Sequence, residues 1–368
     1  MLTARTDVVG SLLRPAFLLE AREQLAAGRI AEERFAEVED AAVDEALALQ
    51  AEAGLDVVTD GEMRRLSFQS QLPAAVDGFG DWDLDAFLWG EWRSDELGEM
   101  TVERPPLAVT GKLQRRRFLS AAEFTYARDR IDRVLKVTLP SPSLFANFWN
   151  PDRPPEAYAT LEDYLGDVAE ILREEVDELV RLGARYIQLD APHYPLFLDP
   201  GYRDFYESRG WPAGRWLDLG LELDNLVIGD HPGVIFGMHL CRGNQASRWL
   251  VSGGYDWIAA RLFPRVKAER ILLEYDDERS GSFEPLAEVP EDKVVVLGLV
   301  TTKSGRRETV DGLVARVREA AAFMPLERLA ISPQCGFATS ILGNALSEED
   351  ERAKLATLVQ AAELVWSA

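Results

Sequence analysis

Short apolar runs of strand length recur along the chain, and nearly every one hands over to a stretch with helical periodicity. The clearest unit starts at Thr160, with Asp163 three residues on. It continues through Leu165, Val168, Leu172, Val176 and Leu179, stops at Gly183 and gives way at once to "RYIQLD". A capping pair, an apolar stripe at three- and four-residue spacing and a glycine stop specify an amphipathic helix, and the run after it reads as a strand buried on both faces. Eight strand-like runs can be counted: Asp7–Val9, Asp56–Thr59, "VLKVTLP", "RYIQLD", Val234–Phe236 and its continuation, "RILLE", Val294–Leu299 and Leu329–Ile331. The last is followed by a Ser347-capped helix whose face is Leu355, Leu358, Val359, Ala362 and Val365. Strands that alternate with helices form parallel sheets, and eight such units in one chain predict an α/β fold, a single (β/α)8 TIM barrel over residues 1–368. A doubly wound open sheet is the alternative. It would bring a glycine-rich phosphate loop after the first strand, and "VVGSLLRP" is not one. The alternation lapses after the second strand, at about residues 67–112, where Trp82, Trp89 and Trp92 cluster. That stretch reads as an irregular insertion with strands of its own.

A barrel of this kind keeps its chemistry at the carboxyl ends of its strands. In "VIFGMHLCRGN" the fifth run delivers His239 and Cys241, two apart and so on one side of an extended chain. Glu274 ends "RILLE", and Cys335 follows the last strand in "SPQCGF". One imidazole, two thiols and a carboxylate suit a tetrahedral zinc, although buried cysteines are often inert hydrophobes and the spacing matches no compact zinc finger. Ser11, Glu62 and Asp190 fall at the same rim. So does His193, three residues beyond Asp190, whereas His231 precedes the fifth strand and belongs to the opposite face.

A formal charge of −23 repels a phosphate backbone or an anionic bilayer, so neither nucleic acid nor a membrane surface is an expected partner. No apolar stretch is long enough to span a membrane and the amino terminus lacks a signal-peptide core, which leads us to expect a cytoplasmic protein. Two cysteines make no disulfide framework. The pattern leaves the oligomeric state open, and a homo-oligomer is compatible with it.

Taken in order, "VGS", "GLDVVTDGE", "YIQLD", "HLCRGN", "LLEYDDERSG" and "SPQCGF" resemble the catalytic barrel of the cobalamin-independent methionine synthase family over nearly the whole chain. The resemblance implies Zn2+ held by His239, Cys241, Glu274 and Cys335, and methyl transfer to the thiol of homocysteine. The alkyl donor would be methyltetrahydrofolate or another. It also implies Ser11 on the homocysteine carboxylate, Glu62 and Asp190 on its ammonium, and Trp149 against the pterin. Two thiolates and a carboxylate outweigh a divalent charge, which keeps a bound thiol electron-rich. The chain departs from the family in three places. Its 368 residues leave no room for the second, amino-terminal barrel, "DEP" is here "DAP", and "LGLVTTKSGRR" lacks the histidine that follows the seventh strand. His193 is therefore expected to protonate the leaving group. A relative with the same zinc pattern, epoxyalkane:coenzyme M transferase, gives an alternative in which Arg242, or Arg64 and Arg65, faces a sulfonate. A non-catalytic zinc-holding barrel is the second alternative.

Overall fold

The computed structural model describes residues 3–80, 90–102, 109–149, 155–208 and 211–367. In chain order the helices are α1 (Ala16–Ala26), α2 (Glu32–Ala53), α3 (Gln71–Ala75), α4 (Ala121–Arg128), α5 (Leu161–Leu182), α6 (Pro200–Ser208), α7 (Ala213–Ile228), α8 (Asp256–Leu262), α9 (Val310–Ala320) and α10 (Glu348–Trp366). The strands are β1 (Val57–Val58), β2 (Val76–Phe79), β3 (Gly90–Trp92), β4 (Met100–Val102), β5 (Val109–Arg115), β6 (Val134–Pro140), β7 (Tyr186–Asp190), β8 (Ile235–Leu240), β9 (Arg270–Glu274), β10 (Val294–Val300) and β11 (Leu329–Pro333). Seven of them form one curled parallel sheet in the order β1-β6-β7-β8-β9-β10-β11.

Local chemistry explains the boundaries. The Thr160 hydroxyl accepts from the Asp163 amide while the Asp163 carboxylate accepts from the Thr160 amide, so α5 begins on a complete capping box and ends on Gly183 at φ 103°. Ser347 and Asp350 start α10 in the same way. The apolar stripe of α5 is buried from Leu165 to Leu179, and α10 buries Leu355, Leu358 and Ala362, with Val359 and Val365 half-buried. Every residue of β7, β9, β10 and β11 is buried, as strands covered on both faces require.

The first expected strand is displaced. Instead of a run over Asp7–Val9, Thr6 makes a single parallel bridge to Ile331. The amide of Asp7 donates to Ile331 O at 3.0 Å, and on the other side the amide of Val57 donates to Thr6 O at 3.2 Å. The ladder stops there because side chains take the next carbonyls. Lys136 Nζ donates to Val8 O, and Gln188 Nε2 donates to Val9 O at 2.9 Å. Residues 5–7 thus bond to both edge strands of the sheet.

Between β1 and β6 the chain forms two antiparallel pairs, β2 with β5 and β3 with β4. The second is tied to the rim beyond β8 by reciprocal backbone hydrogen bonds of Arg93 and Trp249, at 2.8 and 2.9 Å. Trp92, next to that bridge, is buried; Trp82 and Trp89 lie outside the described residues. Among the described residues no helix is long and apolar enough to cross a membrane.

Candidate metal and thiol site

The parallel register of β7 and β8 sets Asp190 beside His239. With Nδ1 protonated, His239 donates to Asp190 Oδ1 at 3.1 Å, and Asp190 is itself fixed by a 2.7 Å hydrogen bond from Gln188 Nε2. A carboxylate on Nδ1 leaves Nε2 as the ligand atom, as in many metal-bound histidines. The ligand atoms of His239, Cys241 and Cys335 all lie within 4.8 Å of one another, and all three residues are buried. The two sulfurs are 3.9 Å apart and both cysteines are free.

The protonation of this cluster is unbalanced. A hydrogen bond from Cys335 pulls Cys241 down to about 5, helped by His239, while that same bond and burial push Cys335 well above the ordinary thiol range. One thiol sheds its proton readily and the other keeps it. A divalent cation would discharge both, and one nitrogen with two thiolates is a set that zinc favours. The residues therefore fit the ion that the resemblance implies.

Glu274 stands apart from the three-residue cluster. Its Oε1 accepts from Lys303 Nζ at 3.0 Å and its Oε2 from the Arg242 amide at 2.6 Å. Sequence reading passed over Lys303. Its signal was a lone lysine three residues past an otherwise apolar strand, at the rim where the chemistry is expected.

One cavity joins the metal cluster to Ser11, Glu62, Asp190 and His193. It encloses about 860 Å³, part of it open to solvent, and Phe68, Trp92, Leu196 and Leu250 give it an apolar wall. Glu62 sits at φ 57° in a turn with Gly61, with Oε1 accepting from Thr138 Oγ1 at 2.6 Å. Its Oε2 is buried without a protein partner. Burial pushes the Glu62 carboxyl up, against the opposing pull of Arg65. Two glycines make room here: a Cβ on Gly10 would lie 2.6 Å from Glu62 Oε1, and one on Gly336 would lie 2.0 Å from Ser11 Oγ.

The other expected residues fare differently. His193 lines the cavity, but its Nε2 is held by Ser143 Oγ at 2.7 Å and burial pushes it down to about 3. Burial thus works against the neutral-range acid that the sequence leads us to expect at His193. Trp149 is buried with its ring stacked on Tyr164, centroids 5.9 Å apart, and is not among the residues that line the cavity. The arginines considered for a sulfonate are engaged elsewhere. Arg65 pairs with Glu123 at 2.9 Å, Arg64 with Asp40 and Glu39, and Arg242 donates to Gly253 O and Glu274 O. His231 sits before β8, 3.6 Å from Asp177, away from the rim.

The sequence profile of the cobalamin-independent synthase catalytic domain matches residues 4–364. The chain belongs to the cobalamin-independent methionine synthase family. It is 33% identical over 365 residues to the uncharacterized Bacillus subtilis protein YxjH, covering 98% of this chain and 94% of that one. It is also 27% identical over 333 residues to a Pyrococcus abyssi methionine synthase, covering 90% of this chain and 85% of that one. Among solved structures, a candidate vitamin-B12-independent methionine synthase from Listeria monocytogenes superposes with a TM-score of 0.74 at 25% identity, 98% of each chain being covered.

Proposed function

We propose that this protein is a zinc-dependent methyltransferase that converts homocysteine to methionine, taking the methyl group from methyltetrahydrofolate or a related donor. The observation that carries this reading is the shared cavity. The cluster of His239, Cys241 and Cys335 opens onto the same space as the buried, unpartnered Glu62 Oε2 and as Ser11. A zinc ion held by those three residues would act as a Lewis acid toward a thiol, so that the thiol enters as a thiolate near neutral pH.

Other residues of the chain bind and orient. Glu62 takes the ammonium of the amino acid, Ser11 its carboxylate, and Asp190 fixes the tautomer of His239 while sharing the ammonium. The wall of Phe68, Trp92 and Leu250 excludes water from the reacting sulfur and accommodates an apolar or aromatic donor. His193, held uncharged, serves as a hydrogen-bond partner for the donor. Arg5 to Asp7, bonded to both edges of the sheet, support reading the amino-terminal segment as the eighth stave of a closed (β/α)8 barrel. A methionine-forming role goes with a cytoplasmic location. Ring opening by a sulfonated thiol is less well supported, because Arg64, Arg65 and Arg242 are committed to other partners.

The test is calorimetric titration of the zinc-loaded protein with homocysteine and with 4-mercaptobutyrate, which lacks the ammonium, followed by assay of methionine formation with methyltetrahydrofolate. Preference for homocysteine and production of methionine are expected. A protein that takes up no zinc, or that binds neither thiol when loaded, would overturn the reading. A cobalt-substituted form whose absorption ignores homocysteine would instead point to a closed, non-catalytic site.

A further inference from the structure

Resting on the zinc reading above, we propose that Lys303 is a positioning residue that draws Glu274 off the metal, so that the substrate thiol can take the fourth coordination position. The resemblance makes Glu274 a ligand, yet both of its oxygens are already engaged. Lys303 Nζ donates to Oε1 at 3.0 Å and the Arg242 amide donates to Oε2 at 2.6 Å. His239, Cys241 and Cys335 converge without it. The Lys303 ammonium is itself buried, with Asp276 3.8 Å away as its second anion, and so is tied to this corner of the rim.

The physical need is specific. An ionised carboxylate displaced from a dication into a dry interior is strongly disfavoured unless a cation receives it. Lys303 supplies that cation from the neighbouring strand end. With zinc bound the exchange would balance: the thiol would lose its proton to solvent and take the place of one anion, and the Glu274 carboxylate would remain paired with Lys303. Arg242 holds the backbone end of the same residue, its guanidinium donating to Glu274 O at 3.0 Å, so that the Glu274 main chain stays fixed while its side chain moves.

Lys303→Met would strand Glu274 and favour its staying on the ion. Zinc affinity, measured by chelator competition, should therefore rise by about tenfold or more, and homocysteine affinity of the zinc form should fall by about tenfold or more. Lys303→Arg should restore both values, and the double variant Lys303→Met with Glu274→Gln should recover thiol affinity. Zinc-edge X-ray absorption should find two sulfur ligands rising to three on thiol addition in the wild type, with the third sulfur weakened or missing in Lys303→Met. A purely structural ion pair predicts something else: both affinities falling together in Lys303→Met, with no recovery in the double variant, and that result would overturn the proposal. Zinc uptake with unchanged thiol affinity in Lys303→Met sinks the Lys303 role alone. A wild-type protein that takes up no zinc sinks the proposed function with it.

Discussion

Glu62→Gln isolates the charge that is expected to read the amino-acid end of the substrate. Glutamine keeps the size of the side chain, and its carbonyl oxygen can still accept the 2.6 Å hydrogen bond from Thr138 Oγ1. Arg65 is not stranded by the change, because its contact with Glu62 is long, 3.5 Å, whereas Glu123 lies 2.9 Å away. What is lost is the charge at Oε2, a buried atom with no protein partner. A hydrogen bond to a charged group contributes about 1.5–3 kcal/mol, so homocysteine should bind roughly 10- to 150-fold more weakly. Burial of the ionised carboxyl is itself unfavourable, as its raised pKa reflects, so the unliganded variant should unfold no earlier than the wild type. Loss of affinity with stability kept or gained is a signature that general damage does not produce. Calorimetry on the zinc-loaded protein should compare homocysteine with 4-mercaptobutyrate, for which the variant should lose little. Equal losses for the two thiols would refute the ammonium role.

Cys241→Ser and Cys335→Ser should each drop the zinc content well below one per chain by plasma mass spectrometry, and full retention in both would overturn the metal assignment. Gly336→Ala places a Cβ 2.0 Å from Ser11 Oγ and 3.2 Å from the Ser11 amide, so the hydroxyl must rotate away and the amide shift slightly; zinc should remain while homocysteine affinity falls. Asp224 gives a stability test, since burial pushes it up to about 7 against the hydroxyls of Tyr194 and Ser141. Its folded pKa lies above the unfolded value, so its contribution is fully present below about pH 4 and is lost as pH rises through about 7. Relative to Asp224→Asn, the wild type should lose as much as about 4 kcal/mol in urea unfolding between pH 4 and 8, and parallel pH profiles for the two proteins would refute this.

The parts of the fold that were legible in the sequence are those decided locally. Thr160 with Asp163, the Ser347 cap and Gly183 as a left-handed stop set helix ends through contacts of a few residues, and each lies where the pattern puts it. The runs that became β7 to β11 were legible because strands buried on both faces read as near-continuous apolar runs, interrupted by few polar residues such as Gln188 and Asp190 in β7 and by Arg270 and Glu274 at the two ends of β9. The amino-terminal strand was misjudged for a non-local reason. Lys136 and Gln188, 128 and 179 residues away, take the carbonyls of Val8 and Val9, and nothing near residue 8 announces that. His239 and Cys241 were visible as an alternating pair, and the curl of the parallel sheet brings Cys335 to them. The hold of Lys303 on Glu274 was not visible, since it joins the ends of adjacent strands 29 residues apart.

Protonation is the property that residue type predicts least well here, and two histidines of one cavity make the point. Burial alone would lower His239, but with no cation on its Nε2 the Cys241 thiolate and the Asp190 carboxylate carry it up to about 10. His193 has the same burial and only a serine hydroxyl on its Nε2, and it falls to about 3. An imidazole unperturbed near 6.5 is thus pushed in opposite directions within one site, depending on whether an anion stands beside it. Burial, which removes the solvent that keeps a cationic imidazole stable, therefore works against His193 as an acid, whereas the anions beside His239 offset the same burial.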